Sequence, residues 1–172
     1  MGKTPAITID RMAENDLDQV LAIEKDSFTM PWSRNLFFAE LRNKSVSLML
    51  VALSHAEQRM VAGYIVCWVV ADEVHILDLA TDPVLRRKGI ARQLVLAALR
   101  TAYDGGARKA FLEVRESNLP ALRLYADLGF VRSHVRQDYY DLPVESAIVM
   151  TLVTESYLCL LYTSPSPRDR QK

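Results

Sequence analysis

The apolar positions along this chain change period several times. PAITIDRM, residues 5–12, reads as a first strand. In AENDLDQVLAIEKDSF, residues Leu17, Val20, Leu21 and Phe28 recur at helical spacing, with Asn15 placed to cap and Asp16 and Asp18 favouring a helix start. TMPWSRNLFFAELRN predicts a second, short helix opened by Ser33 and carrying Phe37 and Leu41. Three apolar strands follow: SVSLMLVALS, MVAGYIVCWVVA and VHILDLAT. The polar turn HAEQR and the pair Asp72-Glu73 separate them, so they are expected to form an antiparallel meander. Arg87 to Tyr103 predicts a helix whose buried stripe is Ala91, Leu94, Val95, Ala98 and Ala102, ended by Asp104-Gly105-Gly106.

KAFLEVR is a strand and SNLPALRLYADLGF the next helix. Asn118 is placed to cap it, Pro120 is tolerated in its first turn, and Gly129 suits the position after its end. Ala121, Leu124, Tyr125 and Leu128 share one face. FVRSHVRQDYY and ESAIVMTLV close as a strand pair. The order is β-α-α-β-β-β-α-β-α-β-β, seven strands and four helices in one α+β domain, with no internal repeat and no linker.

From Cys159 the text changes to CLLYTSPSPRDRQK, Ser/Pro-rich and then basic, without periodicity. CLLYTSPSPRD resembles a sequencing-library adapter translated in one frame, so residues 159–172 are expected to be a non-native tail behind a domain of residues 1–158. The chain of 172 residues has net charge zero, and the tail contributes +2 of it, leaving the remainder near −2. That balance gives no general argument for nucleic acid or an anionic membrane. MGKTPA has Ala6 where an N-myristoylation site wants Ser or Thr. Two cysteines, Cys67 and Cys159, make no disulfide framework, and the scattered His55, His75 and His134 show no metal-ligand spacing. The expectation is a cytoplasmic monomer with no metal.

DPVLRRKGIARQLV, residues 82–95, sets Arg86, Arg87 and Lys88 against Gly89 where a helix begins. Cations are unfavourable at a helix N-terminus, whose free N–H groups suit an anion such as a phosphate or pyrophosphate. Lysine precedes the glycine and no Ser or Thr follows, which excludes a Walker P-loop; GxGxxG is absent as well. Taken alone, the stretch is either a solvated basic patch or a ligand site.

Arg86-Arg87-Lys88-Gly89-Ile90-Ala91 resembles the R/Q-x-x-G-x-G/A signature of the GNAT acetyltransferases. LEVRESNLPALRLYADLGF is similar to the second half of that family. MPWS, LEVR-x-SN and DYY together resemble its ribosomal-protein N-terminal alanine acetyltransferases, over about residues 5–153.

The resemblance implies a mixed, mostly antiparallel twisted sheet with a V-shaped splay between the fourth and fifth strands. It implies acetyl-CoA as cosubstrate, held by Arg87, Lys88, Gly89, Ile90, Ala91 and Arg92, by the main chain of Leu79, Ala80 and Thr81, and by Asn118. By the same resemblance Glu113 is the base, acting through water, and Tyr125 the acid that protonates the leaving thiolate. Trp32, Tyr139 and Tyr140 are candidates for holding a peptide, and the acceptor implied is the alanine N-terminus of ribosomal protein S18. Read from the residues alone, each has a structural alternative: Glu113 can pair with Arg115 on one strand face, Tyr125 can be core, and Asn118 can be a cap, or cap and ligand contact at once. DLPVESA departs from the family's GEDA-containing segment at the peptide entrance, which leaves a lysine or small amine as alternative acceptor. A non-catalytic acyl-CoA sensor is the alternative outside enzymes.

Overall fold

The computed structural model describes residues 6–55 and 58–163. The Pro5 end of the expected first strand, the middle of the HAEQR turn and tail residues 164–172 lie outside the described residues.

Seven strands form one sheet: β1 (Ile7–Arg11), β2 (Ser47–Ser54), β3 (Met60–Val70), β4 (Glu73–Thr81), β5 (Lys109–Arg115), β6 (Val131–Asp141) and β7 (Val144–Leu152). Their order is β1-β2-β3-β4-β5-β7-β6. The meander expected for β2, β3 and β4 is present, and every neighbouring pair is antiparallel except β4 with β5. That parallel pair is short. Glu73–Ile76 match Lys109–Leu112, and beyond Ile76 and Leu112 the two strands share no register. The expected splay between fourth and fifth strands is therefore real, and it opens toward the end of β4.

Among the described residues five α-helices accompany the sheet where four were expected: α1 (Leu17–Ser27), α2 (Arg34–Arg42), α3 (Ile90–Asp104), α4 (Leu119–Asp127) and α5 (Thr154–Thr163). Successive side chains of a strand face opposite ways, and β2 shows it. Met49, Val51 and Leu53 join α1 and α2 through Leu17, Val20, Ile23 and Phe37, whereas Leu48, Leu50 and Ala52 join the cluster built with α3, α4 and α5. β6 is the outer strand and almost wholly exposed, in keeping with its run of Arg, Ser, His, Gln and Asp.

Local departures have local causes. Asn15 does not cap α1; Asp16 does related work, accepting the Ala13 N–H at 2.9 Å and pairing with Arg59 at 3.2 Å. α3 begins at Ile90 rather than Arg87, because Arg87 (φ 64°) and Gly89 (φ 75°) occupy the left-handed region. Ser33 caps α2 by accepting the Leu36 N–H at 3.2 Å, as expected.

α5 crosses the boundary expected after residue 158. Tyr157, Leu160 and Leu161 form one buried stripe, a spacing the boundary had split in two. The Tyr157 hydroxyl donates to the Leu99 carbonyl, and Arg100 donates to the Leu161 carbonyl at 2.6 Å. Cys159 to Thr163 are thus helical, with Leu160 and Leu161 buried.

Candidate active site

β3 and β4 slip by one residue where the splay begins. Val66 pairs with Asp78 and Cys67 with Ile76, so Leu77 is an extra residue, a β-bulge. An extra residue exchanges the faces of everything after it. Val74 and Ile76 pack with α3, while Ala80 packs with α1 and α2. The bulge turns Asp78 toward Glu24 of α1.

A cleft of about 760 Å³ occupies the splay. Its walls come from the end of α1 and the link to α2, from Ile76–Leu79 of β4, from Leu112–Arg115 of β5, from α4, and from the β6–β7 turn. The structure brings Trp32, Leu79, Glu113, Asn118, Tyr125, Tyr139 and Tyr140 together on it. Ala80, Thr81 and Arg87 through Arg92 are not on its lining; they lie along the end of β4 and the start of α3.

Glu113 is part-exposed on β5 and pairs with Arg136, Nε to Oε1 at 3.1 Å. The expected pairing with Arg115 does not form, because Arg115 turns to Glu145 at 3.5 Å and lies 4.1 Å from the Tyr140 ring centroid. Two extra residues between Arg136 and Tyr140 swell β6 outward, with Asp138 at φ 48°, and this places Tyr139 beside Glu113. The Glu113 carboxylate raises the Tyr139 phenol. Tyr140 is pushed up to about 12, first by burial and then by Glu113.

Tyr125 faces the cleft from α4, 5% exposed and packed edge-on against Phe130. Burial pushes its phenol far above the ordinary value, with Cys67 and Asp78 adding to the effect. Asn118 is the cap of α4, accepting the Ala121 N–H at 3.2 Å, and its side chain also reaches the cleft. Trp32 packs on Phe37 with centroids 5.3 Å apart, and its backbone N–H donates to Glu24 at 2.9 Å.

At the α3 start the first helical return bond is Gln93 N–H to the Gly89 carbonyl, at 3.1 Å. The amides of Ile90, Ala91 and Arg92 precede it and have no partner within the helix. A Cβ on Gly89 would meet nothing within 4 Å, so the surface there is open. From Leu77 to Thr81, β4 has no β5 neighbour to take up its backbone groups on that side. Free helix amides, exposed Arg87 and Lys88, and an unpaired strand edge are donors suited to a phosphate-bearing ligand laid along β4. Among the described residues no group of three or more His, Cys, Asp or Glu could hold a metal ion.

Sequence reasoning missed Glu24, Asp78 and Arg136. Glu24 and Asp78 did carry a signal: Glu24 continues the Leu17-Val20 face at helical spacing, and Asp78 is the lone acid in the apolar run VHILDLAT. Arg136 carried none, since its strand is polar throughout.

Residues 17–130 match the acetyltransferase (GNAT) family. The chain belongs to the GNAT acetyltransferase family. A [ribosomal protein bS18]-alanine N-acetyltransferase of Salmonella typhimurium is 33% identical over 147 residues, covering 84% of this chain and 96% of that protein. The crystal structure of the ribosomal-protein-S18-alanine N-acetyltransferase from Escherichia coli superposes with TM-score 0.78 at 29% identity, over 87% of this chain and 94% of that one. Arabidopsis thaliana NAA60 in complex with acetyl-CoA, 18% identical, shares the fold at TM-score 0.79, over 87% of this chain and 99% of that one. In this acetyltransferase the donors at the α3 start and along β4 suit a ligand that carries phosphate and amide groups.

Proposed function

We propose that this acetyltransferase moves the acetyl group of acetyl-CoA onto the N-terminal alanine of ribosomal protein S18, in the cytoplasm of a bacterium. The names of the relatives supply the acceptor. The observation that carries the chemistry is the meeting of Glu113 and Tyr125 on one cleft, a carboxylate from β5 and a protonated phenol from α4.

A protonated α-amine, pKa about 8, has to lose a proton before it can attack a thioester. Glu113 takes that proton through a water, with Arg136 holding the carboxylate in place. A backbone N–H of the β4 stretch that lacks a β5 neighbour, Leu79 to Thr81, faces the thioester oxygen as charge builds there. Burial keeps Tyr125 protonated, so it has a proton to give the departing thiolate. Arg87 to Arg92 hold the pyrophosphate, and Asn118 orients the arm beside α4. The acceptor chain enters between Trp32 and the Tyr139-Tyr140 pair. There the Thr29 hydroxyl donates to the Leu142 carbonyl at 3.2 Å and ties the two banks.

The test uses the full chain with acetyl-CoA and two short peptides. One begins with the S18 N-terminus, and the other has a blocked α-amine and a free lysine. Mass spectrometry locates the added acetyl group. Acetylation of the free α-amine alone is expected; acetylation of lysine alone, or of neither peptide, overturns the assignment.

A further inference from the structure

Four acids line the cleft besides Glu113, and their surroundings differ. Glu145 has Arg115 at 3.5 Å, as Glu113 has Arg136 at 3.1 Å. Asp141 is exposed at the end of β6, where water serves. Glu24 and Asp78 are 1% and 7% exposed, and among the described residues neither forms an ion pair with a Lys or Arg.

The pair is nonetheless ordered. Glu24 accepts the Trp32 N–H on Oε1 and the Tyr64 hydroxyl on Oε2, and Asp78 is in hydrogen-bond contact with it. Asp78 Oδ2 is buried without a protein donor. Two carboxyl groups pressed together in a dry wall retain one proton between them. Asp78 accordingly titrates far above the usual carboxylate range, at about 9, chiefly through burial and then through Glu24. One negative charge remains. A buried charge without a counter-ion is costly, and here it borders a cleft that admits a cationic substrate.

We infer that the Glu24–Asp78 pair is the subsite that receives the ammonium group of the acceptor, supplying the counter-charge that Glu113, already matched by Arg136, does not. The position fits the reaction. Asp78 directly follows the Leu77 bulge, one residue before the β4 stretch assigned to acetyl-CoA, and Tyr125 is near enough to feel its charge. The ligand class is a primary ammonium on a chain that leaves the cleft past Trp32, whose backbone is tied to Glu24. The inference rests on the reading of this protein as an amine acetyltransferase.

Charge sharing predicts a distinctive mutational pattern. With Glu24→Gln, burial still favours the neutral Asp78 but the opposing Glu24 carboxylate is gone, so Asp78 gives up its proton as the ammonium binds beside it and one negative charge is still supplied. With Asp78→Asn, the Glu24 carboxyl group remains to meet the ammonium. Only the double variant E24Q/D78N empties the site of charge without changing its shape. Steady-state kinetics on the free-amine peptide are expected to show KM raised less than about threefold by either single change. The double variant should raise it at least about tenfold, the scale of one lost charged hydrogen bond. Affinity for acetyl-CoA, and for the same peptide already acetylated at its N-terminus, should stay within about twofold of wild type, since neither carries the ammonium. A double variant whose KM is unchanged, or equals the product of the single effects, overturns the subsite. So does a parallel loss of acetylated-peptide binding, which marks a general deformation of the cleft. Wild-type protein that binds acetyl-CoA but turns over no free-amine peptide instead overturns the acetyltransferase reading itself.

Discussion

Arg136 Nε lies 3.1 Å from Glu113 Oε1 although β7 separates their strands. Ala147 of β7 stands opposite both Arg136 and Arg115, and its small side chain leaves the guanidinium room to reach across. The carboxylate assigned to proton removal is thus held by a residue three strand positions from the tyrosine pair. Glu113→Gln is expected to lower kcat by about 10²- to 10⁴-fold, the usual worth of a positioned base, with acetyl-CoA affinity retained in a calorimetric titration. Arg136→Ala should lower kcat by about tenfold or less, because the base stays and only its orientation is released.

Tyr125→Phe removes one oxygen from a buried ring and leaves the packing on Phe130 intact. The variant should bind acetyl-CoA normally and lose about 10²-fold or more in turnover. Equal turnover would show that the hydroxyl is a spectator. With its phenol held far above the ordinary value, Tyr125 does not ionise below pH 10. The alkaline limb of the wild-type pH–rate profile up to pH 10 should therefore survive unchanged in any residual activity of the variant.

Two glycines separate backbone strain from collision. Gly89→Ala meets open space but keeps φ near 75°, so a loss of about 1 kcal/mol is expected, together with weaker acetyl-CoA binding as the α3 start distorts. Gly63→Ala places a Cβ 2.8 Å from the Ala80 carbonyl oxygen. That overpacking should cost about 1–3 kcal/mol, a larger drop in chemical denaturation than for Gly89→Ala.

Asp78 gives stability a pH dependence of definite sign. In the folded chain it holds a proton up to about pH 9, faced by Glu24 from α1, Tyr64 from β3 and Tyr125 from α4. Unfolded, it releases that proton near pH 4. The folded state binds the extra proton between those values, so this contribution is full below about pH 4 and is lost as pH rises to about 9. Relative to Asp78→Asn, wild-type Tm should fall steadily across that window in a series of thermal melts.

A chain ended after residue 158 should melt well below one ended after residue 163. The shorter chain loses the burial of Leu160 and Leu161, worth about 1.5–3 kcal/mol each, and the Arg100 bond to the Leu161 carbonyl. Equal melting temperatures would show that the last turns of α5 contribute nothing.

Most of the architecture was readable before the fold, because it is written in local signals. The meander follows from apolar runs divided by polar turns, and the α2 and α4 starts from Ser33 and Asn118. The start of α3 was misplaced because left-handed geometry at Arg87, a residue with no preference for it, is imposed by the loop. α5 escaped because its three buried side chains straddle a change in composition, and their burial depends on α3. Of the cleft, the motif-bearing residues Glu113, Asn118 and Tyr125 could be picked out. Their partners could not: Arg136 is joined to Glu113 across an intervening strand, and Glu24 to Asp78 across a helix–sheet contact. Such pairings are set by tertiary packing and leave no spacing in the text.

The extra residue at Leu77 has one more implication. A regular strand would present Val74, Ile76, Asp78 and Ala80 on the same side, which would thrust a carboxyl group into the oil beneath α3. The insertion acts as a phase shift, so a single strand serves as structural beam in its first half and as working surface in its second. Deleting Leu77 would not simply shorten β4; it would exchange inside for outside over the working half, turning the acid into the core and the neighbouring leucine out of it.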